Sequence, residues 1–109
     1  MIDLKNCTFI IPLRIESEDR MRNIITVLCY LLENFDTKVI VKEVDVDSVF
    51  RKEVLPQIEE YLGDALKNLI HIFERSEDPV FYRMKILNEM IDMAETPVIA
   101  NYDCDVLFK

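Results

Sequence analysis

The chain has no excess of basic residues, no set of paired cysteines, a single histidine and no long apolar run, and each absence removes a class of function. Across 109 residues, 13 Lys and Arg stand against 21 Asp and Glu, a formal net charge of −8. Nucleic-acid binding is therefore not expected, because contacts along a phosphate backbone need clustered cations. A small phosphorylated ligand is not excluded, since a few placed cations and a divalent ion can hold a diphosphate inside an acidic protein.

Cys7, Cys29 and Cys104 are odd in number and widely spaced, and His71 is the sole histidine. Neither a disulfide framework nor a thiolate zinc site fits that pattern. The N-terminus lacks the basic and then apolar architecture of a signal peptide, and no apolar stretch is long enough to span a bilayer. The expectation is a cytoplasmic chain with reduced thiols, or one peripheral to a membrane within a longer protein.

With 50% hydrophobic residues the chain can bury a core, and it shows neither internal repeats nor a linker, so residues 1–109 are read as one domain. Two hydrophobic periods alternate along it. Cys7 to Leu13 is an apolar, β-branched run expected to be a strand buried on both faces. Ser17 is expected to cap a helix with Glu18 and Asp19 in its first turn and Met21, Ile24, Ile25, Leu28, Leu31, Leu32 and Phe35 on one face.

Lys38 to Val44 reads as a second strand, and a helix through Leu55, Ile58, Tyr61, Leu62, Ala65, Leu66 and Leu69 follows, either beginning near Leu55 with Pro56 in its first turn or kinked there. Ile70 to Glu74 is a third strand candidate. Asp78 and Pro79 are expected as N-cap and N1 of a helix carrying Tyr82, Ile86, Leu87, Met90, Ile91 and Ala94, stopped by Thr96-Pro97, and Val98 to Tyr102 is the fourth strand.

Strands alternating with helices require crossover connections, hence an α/β fold with a doubly wound, largely parallel sheet. Ligands in such folds bind beyond the carboxyl ends of the strands. Arg14, Glu43, Asp45, Asp103 and Asp105 all fall at such ends. Two residues apart on extended backbone, Asp103 and Asp105 point to the same side, and hard carboxylates suit Mn²⁺ or Mg²⁺. An Asp-x-Asp triplet alone says little, and the chain holds another at Asp45-Val46-Asp47; its place after a buried-looking strand gives Asp103-Cys104-Asp105 its weight.

Phe9-Ile10-Ile11-Pro12-Leu13-Arg14 with Ser17-Glu18-Asp19-Arg20 and Asn23, then Phe81-Tyr82-Arg83-Met84-Lys85 with Asn88, then Thr96-Pro97-Val98-Ile99 and Asp103-Cys104-Asp105, together resemble the family 2 glycosyltransferases, in particular the chondroitin-polymerase-like and galactosyltransferase-like branches. The resemblance implies the N-terminal, Rossmann-like half of a GT-A fold, binding a nucleoside diphosphate sugar, a UDP-sugar in these branches. It implies that Pro12, Leu13 and Arg14 line the nucleotide site and that Glu43 faces the base or ribose. Arg83 or Lys85 would lie near phosphate or sugar, Asp103 would contact the ribose or metal-bound water, and Asp105 would bind the metal.

The chain departs from many members in its turn after the second strand, Glu43-Val44-Asp45-Val46-Asp47-Ser48, which has no glycine. The family places its general base and saccharide acceptor site downstream of the aspartates, so the chain is expected to be a truncated part that does not turn over alone. A non-catalytic α/β nucleotide-binding or interaction domain is the alternative. A receiver-like signalling domain ranks lower, because Pro12-Leu13-Arg14 stands where that fold carries an acidic pair. His71 is expected to be a hydrogen-bonded structural residue, and Arg20 a surface cation.

Overall fold

A computed structural model describes residues 2–94 and 98–101. Four strands, β1 (Ile2–Leu13), β2 (Phe35–Asp45), β3 (Leu69–Arg75) and β4 (Val98–Asn101), form one sheet in the order β3-β2-β1-β4. Every neighbouring pair is parallel. Three helices, α1 (Glu18–Asn34), α2 (Leu55–Leu62) and α3 (Arg83–Met93), make the crossovers. The doubly wound parallel α/β architecture expected from the sequence is the one observed.

Helix α1 starts where its chemistry says it should. Ser17 is extended, its side chain accepts from the Arg20 amide at 3.2 Å, and Glu18 and Asp19 occupy the first turn. The helix stops one residue before the hydrophobic pattern does, because Phe35 turns extended and opens β2. Its ring still packs between Phe9 and Tyr30, so one apolar side chain serves the helix end and the sheet together.

The second crossover is less regular than its apolar spacing predicts. A π-helical turn over Phe50–Val54 leads into α2, and a 3₁₀ segment over Gly63–Asn68 follows it. Pro56 lies in the first turn of α2, where its missing N–H costs nothing. Gly63 has φ +57°, a left-handed conformation that favours glycine, and it ends the helix before Ala65 and Leu66 can extend it.

The expected N-cap and N1 pair, Asp78 and Pro79, is corrected. Helix α3 begins four residues later, at Arg83, with no side-chain cap. Asp78 accepts instead from the Val80 amide at 2.9 Å and gives its own amide to Ser76 Oγ, while the Pro79 carbonyl receives an Arg14 N–H at 3.1 Å. These local bonds hold residues 76–82 as a folded loop.

The core is split by the sheet. Ile11, Leu13, Val39 and Val41 face α1, the π-helical turn and α2, and pack against Leu28, Leu31, Phe50 and Ile58. On the other face Ile10, Ile40 and Val44 meet Ile86, Leu87 and Met90 of α3. Thus α1 and α2 cover one side of the sheet and α3 the other. The chain steps outward from β1 to β2 to β3, then returns through α3 to lay β4 on the far side of β1, so the strand order reverses between β1 and β4. Among the described residues no helix is long and apolar enough to cross a membrane.

Candidate functional site

The C-terminal ends of the strands form the edge at which this topology leaves a crevice. Period-2 alternation along β2 sends consecutive charged residues to opposite faces: Glu43 joins Val39 and Val41 on the α1/α2 side, and Lys42 joins Ile40 and Val44 on the α3 side. Both are buried. A charge removed from water is tolerated only when hydrogen-bonded or paired, and each solves that problem with its own set of partners.

Glu43 is wholly inaccessible. One carboxylate oxygen accepts from Ser48 Oγ at 2.6 Å and lies 3.1 Å from His71 Nε2, and the other accepts from the Phe50 amide at 3.0 Å. Burial acts most strongly and would raise its pKa, but the hydrogen bonds from His71, Ser48 and Phe50, with the attraction of His71, prevail and hold the carboxyl below the ordinary value of 4.5. Ser48 also accepts from the Arg51 amide at 3.2 Å, and the His71 ring stacks on Phe50 with centroids 4.4 Å apart. Glu43 thereby ties the end of β2 to β3 and to the start of the second crossover.

Lys42 reaches the opposite side and bridges Glu89 of α3 at 2.9 Å and Glu74 of β3 at 3.5 Å. The hydrogen bond from Lys42 is the main reason the Glu89 carboxyl falls below its usual range. Both carboxylates are partly exposed; Glu89 accepts a hydrogen bond from Lys42, whereas Glu74 is held at ion-pair distance. They open onto a crevice of about 110 Å³ between the ends of β2 and β3 and the start of α3. Its apolar wall is Val44, Val80, Tyr82 and Ile86, and its polar rim adds Ser76, Asp78 and Lys85.

Arg14, directly after β1, joins that strand's end to Val44 and to the loop over 76–82. It is 7% exposed, donates Nε to the Val44 carbonyl at 2.8 Å and Nη1 to the Pro79 carbonyl at 3.1 Å, and holds its guanidinium 5.5 Å from the Phe81 ring centroid. No carboxylate of the described residues lies in salt-bridge range of it. A buried cation whose neutralisation is left to neutral carbonyls and a ring face is electrostatically receptive to an anion.

The residues singled out from the sequence divide accordingly. Pro12 and Leu13 are buried beside Lys42 and Glu43 in the sheet, Leu13 within the core of the α1/α2 face. Glu43 lies on that same face with its carboxylate engaged inside the protein, whereas Lys85 is exposed on the rim of the crevice and Arg14 is bonded to the carbonyls of Val44, which lines it, and Pro79. Arg83 is the half-buried first residue of α3. Asp103 and Asp105 lie outside the described residues, as do Thr96, Pro97, Tyr102 and Cys104. Among the described residues no group of three or more His, Cys, Asp or Glu is arranged to hold a metal.

Sequence reasoning passed over Ser48, Glu74 and Glu89. A Lys-Glu pair inside a strand calls for a polar partner on each face, but nothing local in the sequence names Ser48, Glu74 or Glu89 as those partners. His71 is where a structural histidine was expected, hydrogen-bonded and stacked. No protein-family model matches the chain, and no curated protein does either.

Proposed function

We propose that the chain is the nucleotide-sugar-binding part of a metal-dependent glycosyltransferase, holding a nucleoside diphosphate sugar across the strand ends. The observation that carries this reading is the reversal of strand order between β1 and β4, with the buried Arg14, unpaired by any carboxylate of the described residues, at the end of one strand. The other strand is followed, two residues after Asn101, by Asp103-Cys104-Asp105. A cationic shoulder at a topological switch point, with two hard carboxylates following β4 in the sequence, would suit a diphosphate bridged to a divalent ion.

Asp105 and Asp103 would hold Mn²⁺ or Mg²⁺, and the donor set fits such an ion, which takes one or two protein carboxylates and completes its shell with water and phosphate oxygen. When bound, the ion supplies electrostatic stabilisation of a departing diphosphate. Arg14 contributes fixed positive charge and braces the loop over 76–82, Lys85 adds a second cation at the rim, and the Glu43 network keeps the ends of β2 and β3 in register with them. Transfer to a saccharide hydroxyl also needs a general base within hydrogen-bond reach, a role assigned to none of these residues.

Calorimetric titration of the chain with UDP, with and without Mn²⁺, tests the reading. Saturable binding that requires the ion and disappears in Asp105→Ala is expected. Absence of metal-dependent binding, or unchanged binding by Asp105→Ala, favours a non-catalytic interaction domain instead.

A further inference from the structure

We infer that Arg14 is an anion-binding residue sealed beneath residues 76–82, and that this strap lifts to let a phosphate group reach the guanidinium. The inference deepens the nucleotide reading above and rests on it, supplying the step by which a diphosphate gains its cation.

The strap stands between the crevice and Arg14. Ser76, Asp78, Val80 and Tyr82 line the crevice, while the intervening Pro79 carbonyl and Phe81 ring meet the guanidinium. Arg14 is 7% exposed and does not line the crevice, so a ligand held there touches the strap and not the cation. Burying a guanidinium that no carboxylate of the described residues pairs is costly. Neutral carbonyls satisfy its hydrogens but not its charge. A phosphate oxygen does both, through charge-assisted bonds about twice as strong as neutral ones.

The two carbonyls that hold Arg14 are not equivalent. Val44 accepts from Nε at 2.8 Å in a buried bond at the end of β2, whereas Pro79 accepts from Nη1 at 3.1 Å in a partly buried one. Exchange of the Pro79 carbonyl for a phosphate oxygen therefore leaves Arg14 anchored through Nε and turns its Nη edge to the ligand.

The strap can leave at small cost. Glu77 to Val80 and Tyr82 are exposed, and Phe81 is its residue packed on the α3-side core, so lifting uncovers little apolar surface. Its internal bonds, from the Asp78 amide to Ser76 Oγ and from the Val80 amide to Asp78, travel with it. At one end the Ser76 amide is fixed to the Asp45 carbonyl at 2.9 Å. At the other the Arg83 amide closes on the Phe81 carbonyl across Tyr82, whose φ of −83° and ψ of 76° are those of an inverse γ-turn. Ser76 and Tyr82 are thus the places where the backbone turns as the strap lifts.

The test is calorimetric titration of the full chain with inorganic pyrophosphate, without a metal, in parallel with UDP and Mn²⁺, together with the NMR signal of the Arg14 Nε–H. Closure of the strap competes with binding. Phe81→Leu, which removes the ring beside the guanidinium but keeps an apolar side chain, should therefore bind pyrophosphate about fivefold more tightly than the wild type. In the wild type, saturation should move the Arg14 Nε–H signal towards its position in Phe81→Leu, with amide shifts concentrated between Ser76 and Tyr82. Weaker or unchanged binding by Phe81→Leu with its circular dichroism spectrum retained overturns the inference, as does an Arg14 signal unmoved at saturation. Binding of UDP with Mn²⁺ but not of pyrophosphate overturns the strap and leaves the nucleotide reading standing. Failure of both ligands overturns both.

Discussion

The two faces of the sheet are built differently. On the α1/α2 side Leu28, Leu31, Phe50 and Ile58 close over Val39 and Val41 with no solvent access, and the buried charge there, Glu43, is hydrogen-bonded from three directions. On the α3 side a thinner set, Ile10, Ile40, Ile86, Leu87 and Met90, is buried, while Met84 and Ile91 of the same helix stand largely exposed. There Lys42 shares two carboxylates with solvent, and the crevice opens. One face secures the strand ends and the other leaves room beside them. Rigidity under a site and accessibility at it are thus divided between opposite sides of four strands.

That contrast can be broken by substitution. Leu28→Ala on the closed face should cost about 3 to 4 kcal/mol of unfolding free energy, since a fully enclosed site cannot collapse around the missing atoms. Met90→Ala, facing the thinner layer across the sheet, should cost about 2 kcal/mol. Urea denaturation of both variants measures the difference; equal losses would contradict the asymmetry.

Glu43→Leu should destabilise by about 2 to 3 kcal/mol, because Ser48, the Phe50 amide and His71 lose their shared acceptor. The Glu43 carboxyl is held below 4.5 in the folded chain, so it binds protons less readily there than when unfolded. Its stabilisation is therefore fully present above about pH 4.5 and is lost as pH falls through the depressed folded value. Glu43→Gln should be less stable near neutrality and flatter in its acid dependence, read from urea midpoints between pH 3 and 6. Retention of the wild-type acid slope in Glu43→Gln would sink that assignment.

Smaller effects belong to the exposed surface. Arg22→Ala removes an i,i+3 pair with Asp19 that is exposed at both ends, and should change stability by less than about 0.5 kcal/mol. Arg14→Lys, by contrast, should leave the core intact but loosen residues 76–82, because an ammonium cannot reach the Val44 and Pro79 carbonyls in the same fork. Faster amide exchange confined to that loop is the expected signature.

Much of this was legible from residue periodicity. The alternation of strand and helix was strong enough to give the parallel sheet, and the Ser17 cap marked the start of α1 to the residue. What resisted reading was local and polar. Asp78-Pro79 has the composition of a helix start, but Asp78 closes a turn on Val80 and the Pro79 carbonyl is taken by Arg14, 65 positions away in sequence. The burial of Glu43 and Lys42 was equally hidden, because their partners come from β3, α3 and the turn after β2, and pairing across such distances leaves no local pattern. The wall of the crevice is assembled from three separate segments for the same reason.

In the proposed site, nucleotide and metal would meet at the β1/β4 reversal. Paramagnetic broadening by Mn²⁺ in the presence of a nucleoside diphosphate tests it most directly, read on backbone amides along the sheet. Metal-dependent loss of signal is expected at Leu13, Arg14 and Asn101, with Leu69 and Gly63 at the opposite edge spared and the effect abolished in Asp105→Ala. Broadening centred on Leu69 and Gly63, or unaltered in Asp105→Ala, would contradict it.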